Sequence, residues 1–286
     1  MSQGEKPGNS KRRGNGFLRA KLRHVVLTRT ANRLTFGILG RRHMAQSIEV
    51  RTVELRIPHW PRCHDGVRIA HLSDFHLGDL MPVDRAVDAV NRVAMLRPDL
   101  VACTGDVVDL EMDGVGPLLA AMGSIGAPLG RYLVLGNHDH LDDGAALATL
   151  AGRHGLQVLD GDVVAAGDAE TPLLVGGVDW GRTVGELDAR VDALPRVPHL
   201  LLAHNPKAFH ASARRGVALT LSGHTHGGQL AWKGKPRVNF SFAHRLNAGL
   251  YERNGCSLYV NVGAGAWFPL RLHCAPEVVL VTVRCG

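Results

Sequence analysis

The feature that most constrains this chain recurs along it: a short apolar run that stops abruptly at glycine, aspartate or histidine. Residues 67–72 run into Ser73-Asp74-Phe75-His76, residues 100–104 into Gly105-Asp106, and residues 131–135 into Gly136-Asn137-His138-Asp139-His140. Residues 201–203 then run into His204, and residues 217–221 into Ser222-Gly223-His224-Thr225-His226. Residues 67–72 carry apolar residues at alternate positions, the period of a strand with one face in the core, and the later runs, short and bounded by turn-forming residues, read as buried strands. Between them lie helical patterns. Val83, Ala86, Val87, Val90, Val93, Ala94 and Leu96 recur close to the helical period and Pro98 closes the stretch, while residues 118–122 and 144–152 suit shorter helices. Strand and helix in alternation predict an α/β layered fold with largely parallel central strands, in which ligand sites lie beyond the carboxyl ends of those strands.

Residues 48–57 alternate apolar and polar, so a first strand opens the folded domain and Pro58 and Pro61 stop it. The expected division is a basic N-terminal extension over residues 1–47 and one domain over residues 48–286. The net charge of +7 is gathered in the extension, where Lys6, Lys11, Arg12, Arg13, Arg19, Lys21, Arg23, Arg29, Arg33, Arg41 and Arg42 crowd together. Its glycine- and asparagine-rich start, residues 4–16, lacks the apolar surface to order itself. From Phe17 onward apolar residues interleave with arginines. That pattern suits either a basic amphipathic helix on an anionic membrane surface or a segment packed on its own domain. Lys11-Arg12-Arg13 before Phe17-Leu18 is similar to a twin-arginine export signal, but Arg19, Lys21, Arg23 and His24 break the apolar stretch such a signal needs, which argues against export. No run approaches the ~20 apolar residues of a membrane-spanning helix. The five cysteines are odd in number and never spaced as C-x-x-C, as expected of small core residues in a reducing compartment. A cytoplasmic protein, peripheral on the inner face of the membrane if the arm binds lipid, is the expected location.

Asp74 and His76 are two apart, as are His224 and His226, so extended backbone aims each pair at one spot. A carboxylate and imidazoles so placed suit a divalent cation with nitrogen and oxygen ligands, such as Mn, Fe or Zn. His138 directly follows Asn137 and so projects elsewhere.

Taken in order, the blocks D-x-H, G-D, G-N-H-D, H and G-H-x-H resemble the calcineurin-like metallophosphoesterase family over about residues 67–229. The resemblance implies that fold, a central β-sandwich flanked by helices. It implies two divalent metal ions, one held by Asp74, His76, Asp106 and His226, the other by Asp106, Asn137, His204 and His224, with Asp106 shared. It further implies hydrolysis of a phosphodiester or diphosphate bond by a metal-bridging hydroxide. His138 would act on the leaving group or the charged transition state. Asp139 would orient that imidazole or a neighbouring ligand, unless it caps a turn. Leu110-Glu111 stands where protein serine/threonine phosphatases of the superfamily carry Arg-Gly, which disfavours that substrate class. The flanks look closest to a compact bacterial subgroup in which lipid-linked or nucleotide-linked substrates such as UDP-2,3-diacylglucosamine are known. A nuclease, or a non-catalytic metal-binding scaffold, is the alternative, although nucleic acid as a partner is disfavoured because the positive charge sits on the arm. A monomer is expected. Trp267 and Phe268 could line the substrate mouth or close the core.

Overall fold

In the computed structural model, which describes residues 15–167, 170–233, 235–239 and 245–286, two six-stranded sheets stack face to face. The first has the order β1 (Glu49–Ile57), β14 (Glu277–Cys285), β2 (Val67–Leu72), β3 (Leu100–Cys103), β4 (Arg131–Leu133) and β5 (Gln157–Val158). The second has the order β12 (Gly249–Arg253), β13 (Cys256–Val260), β9 (Leu219–Ser222), β8 (Leu200–Ala203), β7 (Leu173–Val178) and β6 (Asp162–Ala166). A small hairpin, β10 (Ala231–Trp232) and β11 (Lys235–Asn239), stands apart from both sheets.

The continuous apolar runs are explained by burial on both faces. In β3, Leu100 and Ala102 point between the sheets while Val101 and Cys103 point to the outer helices. In β8, Leu200 and Leu202 point inward, and Leu201 and Ala203 point outward. Over the first sheet lie α4 (Val83–Ala94), α5 (Gly116–Ser124) and α6 (Gly144–Arg153). Helix α4 buries Ala86, Val90 and Val93 of the predicted stripe together with Ala89, and Val83, Val87, Ala94 and the following Leu96 pack partly buried beside them. Over the second lie α7 (Val184–Asp192) and α8 (Phe209–Arg214).

Pairing is parallel through β2-β3-β4-β5 and β7-β8-β9-β13, as the alternation of strand and helix implies. The exception inside the first sheet is β14, antiparallel to β2 and parallel to β1. Residues 58–66 are too short to carry a crossover, so β2 runs back against the direction of β1 and the last strand fills the gap between them. Helix α7 went unpredicted although Thr183 and Glu186 form a complete capping box at its start.

The N-terminal arm is helical and packed on the domain. It comprises α1 (Asn15–His24), a π-helical turn (Val25–Thr30), α2 (Ala31–Leu34) and α3 (Ile38–Ala45). Phe17, Thr28 and His43 are buried, whereas Leu18, Leu22, Val26, Leu34 and Phe36 are exposed. Residues 1–14, with Lys11-Arg12-Arg13 and most of the glycine-rich tract expected to lack order, lie outside the described residues. Among the described residues no helix is long and apolar enough to cross a membrane. All five cysteines are free thiols; Cys103, Cys256 and Cys274 are buried, but Cys63 is exposed.

Candidate metal centre

Each predicted site residue sits just past a strand of the two sheets. Past β2 and β3 the chains stay zipped together, Asp74 N–H donating to the Gly105 carbonyl (2.9 Å) and His76 N–H to that of Asp106 (3.0 Å). The turns that follow are held in an uncommon conformation. Asp74, His76, Asp106, His224 and His226 all have positive φ, from 48° to 70°. Such backbone costs roughly 1–3 kcal/mol per residue and persists only where surrounding structure enforces it, as at binding sites. Close approach enforces it here: a Cβ on Gly136 would overlap the Asp106 carboxylate, and one on Gly223 would overlap Ser73 and Asp74.

The seven residues expected as ligands converge. Ligand atoms of Asp74, His76 and His226 lie within 4.8 Å of one another, and so do those of Asp106, His204 and His224. Asp106 stands between the two groups, its Oδ2 lying 3.4 Å from His76 Nε2 and 3.2 Å from His204 Nε2. Asn137 faces the same cavity, and its Oδ1 is buried without a hydrogen-bond partner. An orphaned amide oxygen beside two clusters of carboxylate and imidazole donors, with no thiolate among them, fits a pair of divalent cations.

Several groups fix these donors from behind. His204 Nδ1–H donates to the Thr104 carbonyl (2.6 Å), which leaves Nε2 free toward Asp106. Thr104 also donates to Ser73 Oγ (2.7 Å), and Ser73 to Asp74 Oδ2 (2.5 Å). At the head of that chain, His71 Nε2 lies 3.0 Å from Thr104 Oγ1, and burial holds its imidazole down at about 3, hence neutral. Arg271, wholly buried, lies 3.1 Å from His226 Nδ1 and donates to the Val262 carbonyl (2.8 Å). Trp180 walls the other side, its ring centroid 4.8 Å from that of His224.

Burial lowers the His76 and His204 imidazoles, but the carboxylates around them outweigh it and carry them to about 10 and about 9. Burial alone would raise the Asp74 and Asp106 carboxyls, yet the surrounding imidazoles hold both well below the usual carboxylate range. His226 goes the other way, driven down by burial, with His76 and Arg271 adding to the effect against Asp74.

His138 lies over the cavity, its ring centroid 4.5 Å from that of His76. Its Nδ1–H donates to the Asp109 carbonyl (2.5 Å), so Nε2 faces outward. Asp139 does not reach that ring through any described hydrogen bond. Its buried carboxylate accepts the backbone N–H groups of Asp106 (2.8 Å), Val107 (2.8 Å), Val108 (3.2 Å) and Gly136 (2.9 Å), tying the β3 and β4 loops together as a turn cap would. Burial and the nearby Asp106 charge raise it to about 6. His140 is exposed and pairs with Asp179 at 2.7 Å. Trp267 and Phe268 line the cavity.

The profile of the calcineurin-like phosphoesterase family matches residues 67–228, more than half of the chain. The chain belongs to the calcineurin-like phosphoesterases. Among its relatives in this family is the uncharacterized metallophosphoesterase YkuE of Bacillus subtilis, 31% identical over 85% of this chain and 86% of that one. An uncharacterized metallophosphoesterase of Aquifex aeolicus is 33% identical over 76% of this chain and 85% of its own length. Phosphodiesterase YaeI of Escherichia coli is 29% identical over 75% of this chain and 81% of its own.

The blocks of this phosphoesterase did not reveal everything at the centre. Asp109 has its Oδ1 3.4 Å from His76 Nδ1 and 3.1 Å from His138 Nδ1, so one carboxylate faces both rings. Its position three residues after Asp106 was the signal. Arg271 carried none, being remote in sequence, and neither did the arm residues Arg23 and His24, which reach this centre across the cavity mouth.

Proposed function

We propose that this phosphoesterase is a two-metal hydrolase of phosphodiester or diphosphate bonds. Asp74, His76, Asp106 and His226 would hold one divalent cation and Asp106, Asn137, His204 and His224 the other. The observation that carries this reading is the placement of Asp106 Oδ2 within 3.4 Å of His76 Nε2 and 3.2 Å of His204 Nε2, where one carboxylate oxygen can serve both positions. When bound, such a pair supplies Lewis-acid stabilisation of the phosphoryl charge and activates water for in-line attack.

The chain supplies the rest. His138 keeps Nδ1–H on the Asp109 carbonyl and, when doubly protonated, offers Nε2–H to the departing oxygen. Asp139 is a positioning residue that ties the loops bearing Asp106 and Asn137 to each other, and Asp109 orients His76. The phosphodiesterase half of the proposal is in keeping with the name of the Escherichia coli relative. Within the diphosphate half, lipid-linked or nucleotide-linked compounds such as UDP-2,3-diacylglucosamine are the candidate substrates. The exposed Leu18, Leu22, Val26 and Phe36 of the arm, interleaved with Arg19, Lys21 and Arg33, support contact with an anionic membrane surface. Sedimentation with anionic vesicles, with and without residues 1–47, tests that contact, and equal binding by both forms defeats it.

The decisive experiment is hydrolysis of bis-p-nitrophenyl phosphate by the metal-free protein resupplied with Mn, Fe or Zn. Turnover should appear with at least one of them. Failure with all three would leave a metal-binding scaffold.

A further inference from the structure

The cavity in front of the metal-ligand cluster, about 540 Å³, has a second wall that belongs to the N-terminal arm. Its floor is made by candidate ligands, including His76, Asp106, Asn137 and His224, with His138 beside them. Its outer wall is made by Arg23 and Leu27 of the arm and by Leu230, Trp267 and Phe268. Among the described residues that line it, Arg23 is the only lysine or arginine. A phosphoryl group seated on the floor turns some of its oxygens away from the metal positions, and those oxygens need donors.

Arg23 is placed to give them. One Nη lies 2.9 Å from His138 Nε2, the nitrogen left as acceptor when Nδ1–H is committed to the Asp109 carbonyl. Its guanidinium also rests over the Trp267 ring, 5.7 Å from the centroid. Among the described residues it has no carboxylate partner, and its fork of donors faces an imidazole nitrogen. A phosphate oxygen, being charged, is the stronger acceptor and matches that fork geometrically.

The arm does not arrive there loosely. The next residue, His24, is buried with Nδ1 3.0 Å from Asp109 Oδ2 and Nε2 3.1 Å from Asp79 Oδ2, and Arg29 Nε donates to the same Asp79 oxygen at 2.8 Å. The opposite part of the wall is equally fixed. Gln229 accepts the Trp267 N–H (3.1 Å) and donates to the Phe268 (2.8 Å) and Leu270 (2.9 Å) carbonyls, which ties the aromatic loop to the turn that carries His224 and His226. Between the two anchored parts, Leu27, Leu230, Trp267 and Phe268 supply the apolar side chains of the cavity wall.

We propose that the arm completes the substrate site: Arg23 binds the substrate phosphate, exchanging His138 Nε2 for a phosphate oxygen, and Leu27 with Leu230, Trp267 and Phe268 holds an alkyl chain esterified to it. This rests on the phosphoesterase reading above. The test uses the full-length, Mn-loaded protein with two diesters, bis-p-nitrophenyl phosphate and a phosphate carrying one p-nitrophenyl and one dodecyl group. Inorganic phosphate serves as a binding probe, followed by calorimetry and by its inhibition constant.

Arg23→Gln should weaken phosphate binding and raise KM for both esters by roughly 10- to 100-fold, the range of a lost charge-assisted contact, while kcat changes less. Arg23→Lys should recover part of that loss, which a purely structural role would not allow. Leu27→Ser should raise KM for the dodecyl ester by a larger factor than for the smaller one, and an equal change in both would remove the alkyl-chain part of the proposal. Unchanged phosphate affinity and KM in Arg23→Gln would overturn the proposal. So would a gain in kcat/KM, because the arm would then be an obstruction. If the unaltered protein hydrolyses neither ester with any metal, the hydrolase reading fails and this inference falls with it; activity that ignores Arg23 overturns only the inference.

Discussion

The strand-end loops and the N-terminal arm meet across the same cavity, yet they are built on opposite principles. The loops are buried, strained and held from several directions at once: Asp139 gathers four loop N–H groups, glycines allow backbone to pass against carboxylates, and Arg271 pins a ligand ring. The arm is amphipathic, exposes much of its apolar surface and is anchored by a handful of polar contacts, chiefly His24 and Arg29 on Asp79 and Asp109. The contrast teaches that geometry needed to within a fraction of an ångström is placed on the sandwich, where packing fixes it. The arm, held by fewer contacts, supplies the outer wall of the cavity and not its floor.

Substitutions on the two sides should therefore differ in size and kind. Asp106→Ala should have the largest effect. Turnover should fall beyond the roughly 10²–10³-fold that removing a single transition-state donor costs, and elemental analysis should show loss of metal from both positions. Retention of two metals per chain would break the assignment of a shared ligand. His138→Ala should keep its metals and lose about 10²–10⁴-fold in turnover, the range of general acid–base catalysis, and full activity would remove its role. Ser73→Ala, which removes the donor behind Asp74, should weaken metal binding by about 10- to 100-fold in chelator competition while the fold persists.

The arm should respond more weakly. Arg29→Ala removes an exposed ion pair with Asp79 and should cost at most ~1 kcal/mol in chemical denaturation, against about 2–5 kcal/mol for Leu100→Ala in the core between the sheets. The smallest effect is a pH dependence. Hydrogen bonds to Asp109 and Asp79 raise the His24 imidazole above its ordinary value, so its contribution to docking is present below about pH 6.5 and fades as pH climbs through the folded-state value. In the metal-free protein, limited proteolysis between residues 15 and 45 should quicken over that climb. A rate flat in pH would mean that His24 is not what fastens the arm.

Much of the centre could be read from the chain because its ligands sit at fixed offsets from apolar runs, and both the period of a strand and the turn that ends it are local properties. The layered fold followed from the same alternation. Two features were not read: the place of β14, which enters the first sheet from the far end of the chain and so leaves no local signal, and α7, whose Thr183 capping box is a local signal. Asp139 shows the limit of a motif, since a residue inside the most telling block spends its carboxylate on backbone N–H groups 30 or so residues away.

The ligand-bearing turns and the class of fold are written in the chain itself, because backbone geometry couples neighbours strongly enough to leave a pattern. Only the tertiary structure decided that Arg271 stands behind His226, that Asp109 faces two imidazoles, and that the arm closes over the cavity with Arg23 against His138 across 115 positions of sequence. Contacts between single polar side chains so far apart impose no periodicity on either partner. They exist only once packing has brought the two surfaces together.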